Sequence, residues 1–184
     1  MLIVKYFLFG VYSKIKENII TINQGDRIYH PGYGIGIVKL ISNKSFVGEK
    51  KTTFIQLYFA RNGLTWQVPA NNIPSTIRNI ISATEARKII SHLQSWKGKV
   101  SEQWKVRATA NQAAIAIGDP YRYAEVVKGL SLMKEHSTLS ATDLKHLSLG
   151  LEFLCEELAE ALNKTQERVG ELIKDAIASP PAVA

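Results

Sequence analysis

The stretch Gly25-Asp26-Arg27-Ile28-Tyr29-His30-Pro31-Gly32-Tyr33-Gly34-Ile35-Gly36-Ile37-Val38-Lys39-Leu40-Ile41 decides the fold. Gly25-Asp26 opens a strand over Arg27–His30, Pro31-Gly32-Tyr33-Gly34 is turn chemistry, and residues 34–41 read as a second strand. Outward from there, Val47-Gly48-Glu49-Lys50 carries a turn glycine, and Thr52–Phe59 is rich in β-branched and aromatic residues, a third strand. Asn62-Gly63 favours the positive φ angles of a tight hairpin, and residues 64–68 form a fourth strand stopped by Pro69. Alternation in that strand puts Leu64, Trp66 and Val68 on one face and Thr65 and Gln67 on the other, so Trp66 is expected in the core. Four or five short strands in so small a segment predict a small antiparallel barrel. Gly32-x-Gly34-x-Gly36 lies between two strands with no Gly-Lys-Ser/Thr and no helix after it. It reads as turn glycines in the barrel and not as a phosphate loop.

Downstream the periodicity changes from two to helical. Ser82-x-x-Glu85 is a capping box ahead of Ala86, Ile89, Ile90 and Leu93. A second helix begins at Ser101 and carries Trp104, Arg107, Ala110, Asn111 and Ala114, ending at Gly118. Asp119-Pro120 is an N-cap followed by proline at the first helical position. Ser140-x-x-Asp143 opens the longest helix, with Leu144, Leu147, Leu151, Leu154, Leu158 and Leu162 as one apolar stripe. Thr165 caps a last helix, and Pro180-Pro181 ends it. The expected fold is α+β in two domains, a small antiparallel β-barrel followed by a compact five-helix bundle.

The chain has 184 residues, 46% of them hydrophobic, and a formal net charge of +7. No apolar run is long enough to span a bilayer. A single cysteine, Cys155, excludes an internal disulfide and suits a reducing compartment. The charge is polarised: residues 24–99 hold eleven Lys/Arg against three Asp/Glu, whereas residues 100–184 hold nine against twelve. A nucleic-acid contact is therefore expected to avoid the last two helices. Residues 1–12 are apolar apart from Lys5 and Gly10, but they lack the basic start and cleavage site of a secretory signal. They read as an extra packed segment or as the product of an upstream mis-assigned start.

A search for chemistry finds no catalytic constellation. His30, His92, His136 and His146 show no metal-ligand spacing, and His146 reads as a surface position beside the leucine stripe. Cys155 has no candidate base. Glu152, Glu156, Glu157 and Glu160 read as a solvated helix face, and no metal or cofactor is expected. Trp96 ends the first helix and reads as packing for the joint between barrel and bundle. Trp104, in a first helical turn among Gln103, Lys105 and Arg107, suits core or joint packing and a wedge against nucleic acid equally well.

The opening motif, residues 25–36, resembles the start of the CarD/CdnL family of bacterial transcription regulators, whose first domain is shared with the transcription-repair coupling factor. Leu64-Thr65-Trp66-Gln67-Val68-Pro69-Ala70 resembles that domain's closing strand. Trp104-Lys105-x-Arg107 with Asn111, Gly118-Asp119, residues 124–130, and Leu139 to Asp143 resemble the helical domain. The resemblance implies four segments. Residues 1–23 are an extension of unplaced role, 24–75 a Tudor-like domain that docks on the RNA polymerase β subunit, 76–178 a helical DNA-contacting domain, and 179–184 a tail. It also implies a non-enzymatic, monomeric, cytoplasmic and nucleoid-associated regulator. Trp104 wedges into the minor groove at the upstream fork of the promoter bubble, and Lys105 and Arg107 hold phosphates. No base sequence is read, and the open complex is stabilised. Lys44, Thr65 and Gln67 fall at polymerase-facing positions. Val106, Ala108 and Thr109 make the wedge helix less basic than is typical of the family, which leaves room for an adaptor that docks on a protein without functional DNA contact.

Overall fold

The computed structural model describes residues 22–45 and 51–178. The expected N-terminal extension up to residue 21, the turn at Gly48, and the 179–184 tail with Pro180-Pro181 lie outside the described residues. Strands β1 (Arg27–His30), β2 (Gly34–Lys44), β3 (Thr52–Phe59), β4 (Leu64–Pro69) and β5 (Arg78–Asn79) form one antiparallel sheet in the order β4-β3-β2-β1-β5. Five helices follow: α1 (Ala83–Ser95), α2 (Trp104–Ile117), α3 (Pro120–His136), α4 (Ala141–Leu162) and α5 (Gln166–Ala178). The expected α+β architecture is present.

Local chemistry sets the helix ends. The Ser82 side chain accepts the Glu85 N–H, and Asp119 accepts the Tyr121 N–H behind Pro120. Ser140 and Asp143 form a reciprocal capping box, so two orphan donors at the start of α4 are satisfied. Gly118 ends α2 in the left-handed region with φ 78°, which only glycine adopts without strain.

The sheet half buries Ile28, Val38, Ile55, Leu57, Phe59, Val68 and Ile77. The sheet extends beyond residue 75. Ile77 is fully buried in this cluster, and β5 pairs with β1. A two-residue strand carries no alternation, so only the tertiary pairing reveals it.

Strand β1 is buried on both faces. Ile28 enters the sheet cluster, while Tyr29 points the other way into the helical core. The Tyr29 hydroxyl donates to the Tyr123 hydroxyl at 2.9 Å, and burial raises both phenol pKa values, that of Tyr123 to about 12. The two halves thus share a strand.

The joint corrects four sequence expectations. Glu152, Glu156, Glu157 and Glu160 are not a solvated face but the docking face of α4. Arg27 pairs with Glu160 at 2.9 Å, Arg61 with Glu152 at 3.1 Å and also with Glu156, and Arg78 donates to Glu157 Oε2 at 2.8 Å. Glu157 is fully buried and also accepts the Ile81 N–H, so its desolvation is offset by hydrogen bonds. Much of the opposition between a basic first half and an acidic α4 is therefore internal complementarity. Gly34, at φ 72°, lies under this joint, where a Cβ would sit 2.6 Å from a Glu156 carboxylate oxygen. Trp96 is not among the groups that make this joint; it packs near Gly129 of α3. His146 is buried, its Nε2 3.2 Å from Gln112 Oε1, because α2 covers that side of α4. Along the leucine stripe, Leu147, Leu154 and Leu158 are buried but Leu144 is exposed. In that first turn Asp143 faces inward to meet Arg107.

Candidate nucleic-acid and polymerase interfaces

The start of α2 is shaped by the segment just before it. Ser101 Oγ accepts the Gln103 N–H at 3.2 Å, and Gln103 remains extended as the N-cap. Gln103 makes no side-chain cap hydrogen bond, and the first turn holds no acid. The first N–H groups of a 14-residue helix therefore lack a capping side chain and carry the positive end of its dipole. At this end stands Trp104, 56% exposed, with Lys105 Nζ 5.6 Å from its ring centroid. An exposed tryptophan is uncommon, since leaving so much apolar surface in water forgoes the stabilisation that burial gives. The arrangement can offer an anion a helix terminus and a lysine while leaving one aromatic face free.

Arg107 lies elsewhere. Its side chain is 7% exposed and fully engaged. Nε and Nη2 donate to the two Asp143 oxygens at 2.9 and 2.6 Å, and Nη1 donates to the carbonyls of Ser101 and Glu102 at 2.7 and 3.2 Å. The expected phosphate contact is replaced by a clamp tying the approach to Trp104 to the N-terminus of α4. Hydrogen bonds from Arg107 and Ser140 hold the Asp143 carboxyl at a pKa of about 2. Sequence reasoning missed this because Asp143 already had a role as a capping residue.

A second buried cation also went unread. Lys128 on α3 donates to the carbonyls of Leu93 and Gln94, satisfying acceptors at the end of α1. Burial lowers its pKa. Only the crossing of α1 and α3 brings these groups together.

The polymerase-facing candidates do meet. Lys44 on β2 donates to Gln67 Oε1 on β4 at 2.8 Å across the intervening strand β3. Thr65 and Gln67 are exposed on β4, an edge of the sheet. A register shift between Val38 and Leu40 turns Leu40 outward opposite Gln56, and it is 44% exposed. Leu40 therefore joins Lys44, Thr65 and Gln67 on this face, a placement that strict alternation would not find. Among the described residues no group of three or more His, Cys, Asp or Glu could hold a metal ion. No helix among them is long and apolar enough to cross a membrane.

Two family models match the chain. The CarD-like/TRCF RID domain covers residues 22–81, and the CarD C-terminal domain covers residues 88–174. The sheet half and the helical half coincide with the two domains of one class of transcription regulator. The chain is also 30% identical over 146 residues to the candidate transcription factor YdeB of Bacillus subtilis (strain 168), across 79% of this chain and 95% of that protein. It belongs to the CarD-like family of transcription factors.

Proposed function

We propose that this chain docks on the RNA polymerase β subunit through the outer face and edge of its sheet, and places Trp104 in the minor groove at the upstream fork of the promoter bubble. There it stabilises the open complex without reading base sequence. The exposure of Trp104 at an uncapped helix terminus carries the reading. Partial unstacking costs a few kcal/mol per step, and a ring filling the space of a lost stacking contact opposes reannealing. Tethering through the sheet supplies the local concentration. Strand β4 has one free edge, and a sheet edge can accept a partner strand. The chain acts as a monomer on cytoplasmic, nucleoid-associated DNA and uses no cofactor.

With Arg107 engaged internally, the phosphate contacts come from Lys105 and the exposed Lys97 and Lys99. Three such contacts give a log–log salt slope of about −3, so binding to free duplex is weak and nearly sequence-independent. The same engagement of Arg107 favours a second reading, an adaptor on polymerase with no functional DNA contact.

Trp104→Ala separates the two. Under the wedge reading, polymerase binding is retained and the open complex dissociates up to about tenfold faster, equivalent to about 1.4 kcal/mol. A tryptophan in a packed core would instead lose about 3–5 kcal/mol of fold stability. Open-complex lifetime and thermal melting are measured on the same variant. An unchanged lifetime on promoters with short-lived open complexes rejects the wedge and leaves the adaptor.

A further inference from the structure

We propose, building on the wedge reading above, that Arg78 is a positioning residue for Trp104: it fixes the far end of α2 to the sheet, and so sets where the tryptophan stands relative to the docking edge. Arg78 belongs to β5, and β5 and β4 are opposite edges of the sheet. Four strand spacings, about 19 Å, separate it from the edge that carries Thr65 and Gln67. Arg78 Nε and Nη2 donate to the Gly118 carbonyl at 3.3 and 2.9 Å, while Nη1 and Nη2 donate to the two carboxylate oxygens of the buried Glu157 on α4. The guanidinium carbon lies 4.2 Å from the centroid of the Tyr29 ring. Gly118 is the C-cap of α2, whose last turn holds no basic residue, so Arg78 supplies the cation that a helix C-terminus favours. Pro31, from the turn between β1 and β2, closes on the same point. A Cβ built on Gly118 would overlap the proline ring, so the approach requires glycine.

This makes α2 a lever. Its backbone lies against α3 and α4 and against none of the described strands, so its C-cap is where the sheet half reaches it. Fourteen residues carry α2 about 21 Å from that end to Trp104. A tilt of about 15° at Gly118 moves the tryptophan by about 5 Å, close to the roughly 6 Å width of a minor groove. The clamp between Arg107 and Asp143 ties the front of α2 to α4 and leaves the angle to the sheet to the joint. There, Arg27 and Arg61 pair with acids of α4 only, and the pairs Arg27–Glu160 and Arg61–Glu152 each include a half-exposed group, where ion pairs contribute little. Arg78 meets a fully buried acid and the end of α2 together.

The test is Arg78→Met/Glu157→Leu in the full chain. It keeps the joint packed but removes the donors to Gly118, and the cavity of about 300 Å³ beside Arg78 and Gly118 admits water to the freed carbonyl. Spin labels at Thr65→Cys and Thr109→Cys, both exposed positions, in a Cys155→Ser background read the distance from the docking edge to α2. The double variant is expected to bind polymerase like the parent while its label-to-label distance distribution is at least about twice as wide. Its open complex, measured without labels, dissociates up to about tenfold faster, and adding Trp104→Ala changes nothing further, because both changes remove one interaction. Arg78→Lys keeps a charge beside Glu157 without the planar fork, and widens the distribution less. A parent-like width in either folded variant overturns the proposal. So does a parent-like lifetime where Trp104→Ala alone shortens it, and so do losses that add to that of Trp104→Ala. A widened distribution together with an unchanged lifetime in Trp104→Ala upholds the tie of α2 to the sheet and overturns the wedge reading instead.

Discussion

Replacing Arg107 with methionine distinguishes a clamp from a phosphate contact. The substitution leaves the Asp143 carboxylate, 1% exposed, without the guanidinium that neutralises it. Breaking a buried pair by removing one partner costs about 3–5 kcal/mol. Asp143 keeps the Ser140 hydroxyl at 2.7 Å, so the cost falls near the lower end, about 3 kcal/mol. For a chain of this size each kcal/mol moves the melting temperature by about 2–4 °C, so a drop of about 6–12 °C is expected at pH 7. The pH dependence has a definite sign. The Asp143 carboxyl titrates at about 2 in the fold, below its ordinary 3.8. The stability it contributes is present above the ordinary value and is lost as pH falls through about 2. The gap in melting temperature between the parent and Arg107→Met is therefore full at neutral pH and narrows on acidification towards about pH 2, beginning where the stranded Asp143 carboxyl of the variant, its pKa raised by burial, takes up a proton. Circular-dichroism melts across that range measure it. An unchanged melting temperature with a DNA salt slope shallower by about one would refute the clamp and return Arg107 to the phosphate backbone.

The joint gives a parallel expectation: Glu157→Leu strands the Arg78 guanidinium and destabilises the fold by about 3–5 kcal/mol, whereas Arg78→Met/Glu157→Leu recovers most of the loss, and a double-mutant cycle in urea reads the coupling. Gly34→Ala forces a Cβ into the left-handed region and against Glu156, which lowers stability by about 1–2 kcal/mol; a melt unchanged within about 1 °C contradicts the packing described. Lys44→Glu exchanges the bond to Gln67 for a reversed charge on the outer sheet face and is expected to weaken binding to the polymerase β subunit about tenfold or more while leaving the melt unchanged. Equal affinity of the two proteins in a titration moves the docking surface elsewhere.

The limits of sequence legibility follow the range of the interactions. Ser82, Asp119, Ser140 and Gly118 act within a few residues, and each sits at the expected helix end. The outward face of β4 follows from a period of two, so Thr65 and Gln67 were readable. Leu40 was not, because a bulge breaks that period, and β5 was not, because two residues hold no period. Trp104 could be singled out by its basic neighbours, but its spacing suited packing equally well, and its exposure is visible only in the tertiary structure.

The sequence by itself determined the order of elements, the α+β class, the helix caps and the chain's division into a basic and an acidic half, since these depend on local backbone chemistry and composition. The tertiary structure alone decided what the charges do. Arg107 and Asp143 are 36 residues apart, and Arg78 and Glu157 are 79 apart. A carboxylate on α4 has the same residue type whether it faces water or an arginine. Packing sets its distance to that arginine and removes the solvent, and those two quantities turn an apparent surface patch into the joint that fixes the helical half on the sheet.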